Sequence, residues 1–145
     1  MKLEEYWNKF LIDNNLDINT KYFDAFMFGD EMIADELLKL VLKGKKKATT
    51  SLYYEKERYP KIGDYSIVLD SKGKPKCILK TIDYKILPFN EATYDLIKAE
   101  GEDEVLDTWT FNHKKSIIND CKELNIEYRD DIPIFFEYFD VVYII

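Results

Sequence analysis

The chain has 145 residues, of which 46% are hydrophobic and 34% charged, and its formal net charge is −7. This is the composition of a folded domain with room for a core, not of a disordered segment, and the acidic balance argues against a general nucleic-acid binder. No apolar run approaches the roughly 20 residues that a membrane span needs, and Cys77 and Cys121 are too few and too far apart for a disulfide framework or a zinc pattern.

The N-terminal MKLEEYWNKF is acidic and amphipathic rather than signal-like, so a cytoplasmic protein with reduced thiols is expected. Leu3, Tyr6, Trp7, Phe10 and Leu11 are spaced by threes and fours, which predicts a helix over 3–14. A polar connection follows, and then an aromatic segment, YFDAFMFG, that reads as irregular and packed. Asp30 is placed to cap a second helix, with Ile33, Leu37, Leu40 and Val41 as its stripe and Gly44 to close it in the left-handed conformation. After Gly44 the period changes. ATTSLYY reads as a strand, followed by a turn at 60–63 and a strand with Tyr65, Ile67 and Leu69 on one side. SKGKP is a turn, and KCILKTIDYKILPF is a strand long enough to bend. NEATYDLIKAEG predicts a short helix capped by Asn90 and stopped at Gly101. Residues 103–125 predict a longer helix, with Val105, Leu106, Trp109, Ile117, Cys121 and Leu124 as its buried side. The apolar IPIFFEYFDVVYII predicts a last strand in a central position. Helices flank a strand-rich middle and end, so the expected fold is α+β with a curved, mostly antiparallel sheet or small barrel and helices packed at its rim.

Charge is unevenly distributed. Residues 43–85 carry 12 basic and 5 acidic side chains, whereas residues 86–145 carry 5 basic and 14 acidic. The basic block begins with Lys43 and Lys45–Lys47, around the negative end of the second helix. These lysines are either solvated helix-end charges or the edge of an anion site. Glu137, inside FFEYF, must be paired or face a cavity if its strand is buried. His113, the only histidine, reads as a polar surface or interface residue, and Trp109 as core. Tyr53 and Tyr54 are stacking candidates beside the basic run, with one of them expected to pack instead.

Four segments in this order and spacing resemble the ASCH domain family in its longer bacterial form. They are FGDEMIADELLKLVLKGKKKATTSL, YPKIGDYSIVLDSKGKPKCILKT, AEGEDEVLDTW and FFEYFDVVY. The resemblance covers roughly residues 26–143. It implies a PUA-like mixed or antiparallel β-barrel, with residues 1–145 forming one such domain and 1–25 an N-terminal helical extension. It also implies a cleft between barrel and helices suited to RNA or a nucleoside. One bacterial branch removes the acetyl group of N4-acetylcytidine through a Lys, a Thr and a Glu. By that resemblance the catalytic candidates are Lys46, Thr49 and Glu102, with Glu100 as the alternative register for the acid. Lys47 stands where the family motif more often has Thr.

Amide hydrolysis needs a nucleophile, a proton acceptor and a means of stabilising the oxyanion. A lysine accepts a proton only as the neutral amine, and its pKa in water is about 10.4. Lys45, Lys47 and partial burial would favour that neutral form, whereas the helix carbonyl ends favour the cation. In a regular strand Lys46 and Thr49 point to opposite faces, so the chain must still be turning at Lys46 for the pair to meet. Lys45, Lys47, Ser51, Tyr53 and Glu137 are the substrate-binding candidates. The function classes left open are an amidohydrolase, a non-catalytic RNA-binding module and a ribonuclease. RNA or a modified nucleoside is the expected partner and a membrane is not. No cofactor or metal is expected, and no oligomeric state follows from the sequence.

Overall fold

A computed structural model describes residues 1–144. The helices are α1 (Leu3–Asp13), α2 (Ala34–Leu42), α3 (Tyr94–Ile97) and α4 (Leu106–Leu124). The strands are β1 (Asp24–Phe26), β2 (Ala48–Leu52), β3 (Tyr65–Leu69), β4 (Pro75–Pro88) and β5 (Pro133–Ile144), and they form one sheet in the order β1-β3-β4-β5-β2. Only β1 and β3 pair in parallel. The protein is therefore α+β, as the sequence predicts, with a sheet curled into a half-barrel and helices around it.

The curl begins in β4. Register shifts fall in β4 between Ile78 and Leu79 and between Thr81 and Asp83 against β5, and in β3 between Val68 and Leu69 against β4. Such bulges bend a strand and increase its twist. The first half of β4 pairs with both neighbours, and its second half with β5 alone. The strand order leaves β1 and β2 as the two edges, so the half-barrel stays open on that side.

Alternation sorts the core. Ile67 and Ile78 face α1 and pack under Tyr6, Trp7, Phe10 and Leu11. Val68, Cys77 and Leu79 face the other way and pack with Phe28, Phe139 and Leu38 and Val41 of α2. The β3–β4 pair is therefore buried on both faces. β5 is central, as its apolar run predicts, and Ile134 and Phe136 form a third cluster with Trp109, Ile117 and Cys121 of α4. Each large side chain buried in this way stabilises by about 1.5–3 kcal/mol relative to exposure. No helix among the described residues is long and apolar enough to cross a membrane.

Several local expectations are corrected. Asp24–Phe26 is a short strand rather than irregular chain, because β3 supplies its pairing from outside the segment. α2 begins at Ala34 rather than at Asp30. Asp30 Oδ1 accepts from the Met32 and Ile33 amides at 2.9 and 3.3 Å, which makes a turn ahead of the helix. The helix is rotated accordingly. Ala34, Leu38 and Val41 are buried, while Ile33 is 47% exposed. α3 is capped by the Thr93 hydroxyl on the Leu96 amide and not by Asn90. Val105 is 53% exposed and lies just ahead of α4.

Candidate functional site

The site begins at the end of α2. Gly44, at φ +76°, reverses the chain, and the Lys45 and Lys46 amides both return to the Leu40 carbonyl. The chain is thus still turning at Lys46, which sends its side chain inward while the flanking side chains project outward. Lys46 is 2% exposed. Its Nζ donates to Glu102 Oε2 at 2.5 Å and to the Ala48 carbonyl at 2.9 Å. Glu100 Oε1 lies 3.5 Å away, and the Phe28 ring centroid 5.3 Å away. A buried ammonium is tolerated only when paired and hydrogen-bonded in this way.

Glu100 anchors the other side. Its carboxylate is buried and accepts from Trp109 Nε1 and from Thr50 Oγ1 at 3.0 Å, and His113 Nε2 stands 3.3 Å from Oε1. Burial pushes the Glu100 carboxyl up, but the His113 hydrogen bond and the charges of Lys46 and His113 outweigh it and hold the group below its usual range. His113 stacks on Trp109 at 4.4 Å, and its Nδ1 lies 3.0 Å from the Trp109 carbonyl, which can only accept. Nε2 facing a carboxylate must donate as well, so the geometry suits the imidazolium. Burial works against that charge, and the Glu100 hydrogen bond and carboxylate overcome it to raise the His113 pKa. Lys46, His113, Glu100 and Glu102 together form a charge-balanced cluster.

Gly101 makes the convergence possible. At φ +69° it closes the turn after Lys98–Glu100, and a Cβ there would overlap the Lys45 carbonyl. Only glycine lets this segment lie against the turn after α2. The Lys47 amide donates to the Ala99 carbonyl at 2.7 Å and fixes the same approach.

A cleft opens beside this cluster, at the open side of the half-barrel. One lobe, of about 250 Å³, is lined by Lys46, Thr49, Glu100, Glu102, Asn112 and His113 among others. A second lobe, of about 340 Å³, is lined by Phe26, Phe28, Arg58, Tyr59, Phe135 and Glu137 among others. Thr49, Ser51, Phe28 and Gly29 belong to both. Each lobe is near the lower end of the range for small-molecule sites, about 300–1,000 Å³. Glu137 is opposite Thr49 in the β2–β5 register, and its Oε2 accepts from Thr81 Oγ1 at 2.7 Å. Burial raises the Glu137 pKa; the Thr81 hydrogen bond opposes the rise and the Asp64 charge adds to it. Among the described residues no three His, Cys, Asp or Glu side chains are grouped to hold a metal.

The sequence model of the ASCH domain matches residues 24–143. The chain belongs to the ASCH domain family. This family is associated with RNA binding. Protein EF3133 from Enterococcus faecalis V583 is similar in structure, with a TM-score of 0.87 at 30% identity over 99% of this chain and 94% of that one. An ASCH domain from Lactobacillus crispatus JV V101 superposes with a TM-score of 0.86 at 29% identity, over 99% of this chain and 96% of its own. The hypothetical protein PH0355 shares the fold, with a TM-score of 0.57 at 17% identity over 82% of this chain and 98% of its own. No curated protein matches the chain.

Within this ASCH domain the expected residues divide. Lys46, Thr49 and Glu102 line the first lobe, Ser51 lines both, and Glu137 lines the second. Lys45 and Lys47 are exposed and line neither lobe, because a side chain turned inward at Lys46 leaves its neighbours outside. The expectation that they surround Lys46 with positive charge is therefore corrected: its near neighbours are carboxylates. Tyr53 is also outside both lobes and stacks on Tyr59 at 5.1 Å. Glu100 and His113 enter the site together. His113, expected at the surface or an interface, contacts Glu100 instead, and its four-residue spacing from Trp109, which puts both on one face of α4, is the sequence signal for it.

Proposed function

We propose that this ASCH domain binds a modified nucleoside in the cleft and removes an N-acyl group from the exocyclic nitrogen of its base. The family resemblance makes N4-acetylcytidine the first substrate to test. The observation that carries this reading is the position of Lys46: a fully buried ammonium in the same lobe as the Thr49 hydroxyl, held by one enclosed carboxylate and one that reaches solvent. The Glu102 side chain is 23% exposed, against 2% for Glu100. Both carboxylates favour the ammonium, so the neutral amine has to form by passing its proton out through Glu102, the one of the pair that reaches water, while Glu100 fixes the amine in place.

The neutral Lys46 amine then accepts the Thr49 hydroxyl proton as Oγ attacks the acyl carbon. The C–N bond breaks, and the Lys46 ammonium returns that proton to the departing nitrogen. Cytidine leaves, and the acetyl group remains as an ester on Thr49. Water attacks the ester and gives a proton to Lys46. Thr49 Oγ regains its proton from the same ammonium, and acetate is released. The test is acetate release from N4-acetylcytidine at high protein concentration, and no turnover would remove this reading for that substrate.

A second reading is a non-catalytic RNA-binding module, favoured by the exposed Lys43, Lys45 and Lys47 that flank the buried Lys46 along the chain. Salt separates the two, since contacts to several phosphates weaken steeply as salt rises and binding of a neutral nucleoside does not.

A further inference from the structure

Glu137 and Thr49 are directly opposed across the antiparallel β2–β5 pair. Opposed residues point to the same side of a sheet, with Cβ atoms about 4.5–5.5 Å apart. The Glu137 carboxyl therefore lies beside the Thr49 hydroxyl, at the boundary where the two lobes share a wall. Oε2 is occupied by the Thr81 hydroxyl, which leaves Oε1 for the second lobe that Glu137 lines. Aromatic rings form the walls of that lobe. Tyr59 is held by its hydroxyl, which donates to the Leu52 carbonyl and accepts from the Tyr54 amide, each at 2.7 Å. Its ring meets Phe135 at 4.7 Å, and Phe26 meets Phe28 at 5.0 Å.

We infer that the second lobe seats a pyrimidine base between aromatic walls and that Glu137 Oε1 accepts the base's exocyclic N–H, turning that nitrogen toward Thr49. The inference rests on the hydrolytic reading for its ligand class and deepens it by separating two tasks. The second lobe recognises the base, and the first acts on the group attached to it. Rings of this kind accept any base face, so stacking alone does not choose among bases. The choice comes from the carboxylate. An ionised carboxylate only accepts hydrogen bonds. Cytosine presents an amino group at C4, and an N4-acylated cytosine keeps one N–H there. Uracil presents a carbonyl oxygen at the same place and would leave both acceptors unpaired. A group that favours an ionised partner would further draw Glu137 into its charged form, against the upward push of burial.

The test uses the intact chain with cytidine and uridine, neither of which carries an acyl group. Binding is followed by NMR at mildly alkaline pH. Cytidine should bind more tightly than uridine, on the order of tenfold for one hydrogen bond to a charged acceptor. Glu137→Gln should erase most of that preference, because its amide can donate to the uracil carbonyl. The comparison is a ratio within one protein, so a uniform loss of folded material does not alter it. If Glu137→Gln does not fold, the carboxyl carbon of Glu137 in the native protein should shift with cytidine and not with uridine. Equal binding of the two nucleosides overturns the inference, as does a preference unchanged by Glu137→Gln or an absence of shifts at millimolar cytidine. The outcomes separate the two readings. A cytidine preference without acetate release removes the hydrolysis and leaves the base lobe. Acetate release without the preference removes the base lobe and leaves the hydrolysis.

Discussion

Lys46 Nζ and Glu102 Oε2 meet at 2.5 Å although 56 residues separate them in the chain. The contact joins the turn after α2 to the turn before α4. Lys46→Met keeps the length of the side chain and removes its charge, so Glu100 is left buried without its lysine. Breaking a buried pair from one side typically costs about 3–5 kcal/mol. We expect a loss of that order in urea denaturation, together with complete loss of acetate release at temperatures where the variant is folded. Unchanged turnover would show that the amine takes no part in the chemistry.

Thr49 is the nucleophile in the proposed reaction. Thr49→Ser keeps a hydroxyl and should retain measurable turnover, whereas Thr49→Ala should not. Glu102→Gln removes the solvent-linked proton acceptor and should slow the reaction by a factor of about a hundred to a thousand, or about 3–4 kcal/mol. Lys47→Thr restores the more common family residue at an exposed position and should keep or raise activity. Acetate release under saturating substrate decides all four. Equal rates for Thr49→Ala and the native protein would exclude an acyl intermediate on Thr49.

Much of the fold is legible in the sequence because burial imposes a local period. α1 declares itself through Tyr6, Trp7, Phe10 and Leu11, and β5 through its unbroken apolar run. β1 does not, since three residues carry no period and their pairing comes from β3. The start of α2 is misread because Asp30 satisfies amides in a turn as well as it would at a helix end. The site is harder to read. Lys46 is one of four lysines in a five-residue stretch, and only the reversal at Gly44 decides which of them turns inward. The pairing of Glu100 with His113 spans a turn and a helix, and no single-segment pattern encodes it.

Gly101→Ala tests whether the close approach of the two turns builds the site. The residue sits at φ +69°, and its Cβ would meet the Lys45 carbonyl. A left-handed non-glycine residue alone costs on the order of 1–3 kcal/mol, and the overlap forces the backbones apart as well. We expect a lower melting temperature and a loss of activity larger than the fraction unfolded explains. Gly73→Ala is the control, because its φ is similar at +79° and nothing lies within 4 Å of its Cβ. Equal effects of the two on activity would mean that the approach at Gly101 does not shape the site.

The Glu100–His113 contact predicts a stability profile with two limbs. His113 is raised above its ordinary value of 6.5. Its contribution is fully present below the unfolded value and is lost as pH rises through the folded one. Glu100 is lowered from its ordinary 4.5, so its contribution is present above that value and is lost as pH falls through the folded one. The pair therefore stabilises most between about 4.5 and 6.5 and less on either side. His113→Gln keeps a side chain able to donate to Glu100 but does not titrate. Unfolding free energies measured by urea across this range should show the native protein losing stability above the window, while His113→Gln loses little there. The acid limb should shrink in His113→Gln, because against the upward push of burial the His113 hydrogen bond is the largest influence holding Glu100 low, and Lys46 and Trp109 remain beside the glutamine. Alkaline limbs of equal slope in the two proteins would mean that His113 carries no linked proton in the folded state.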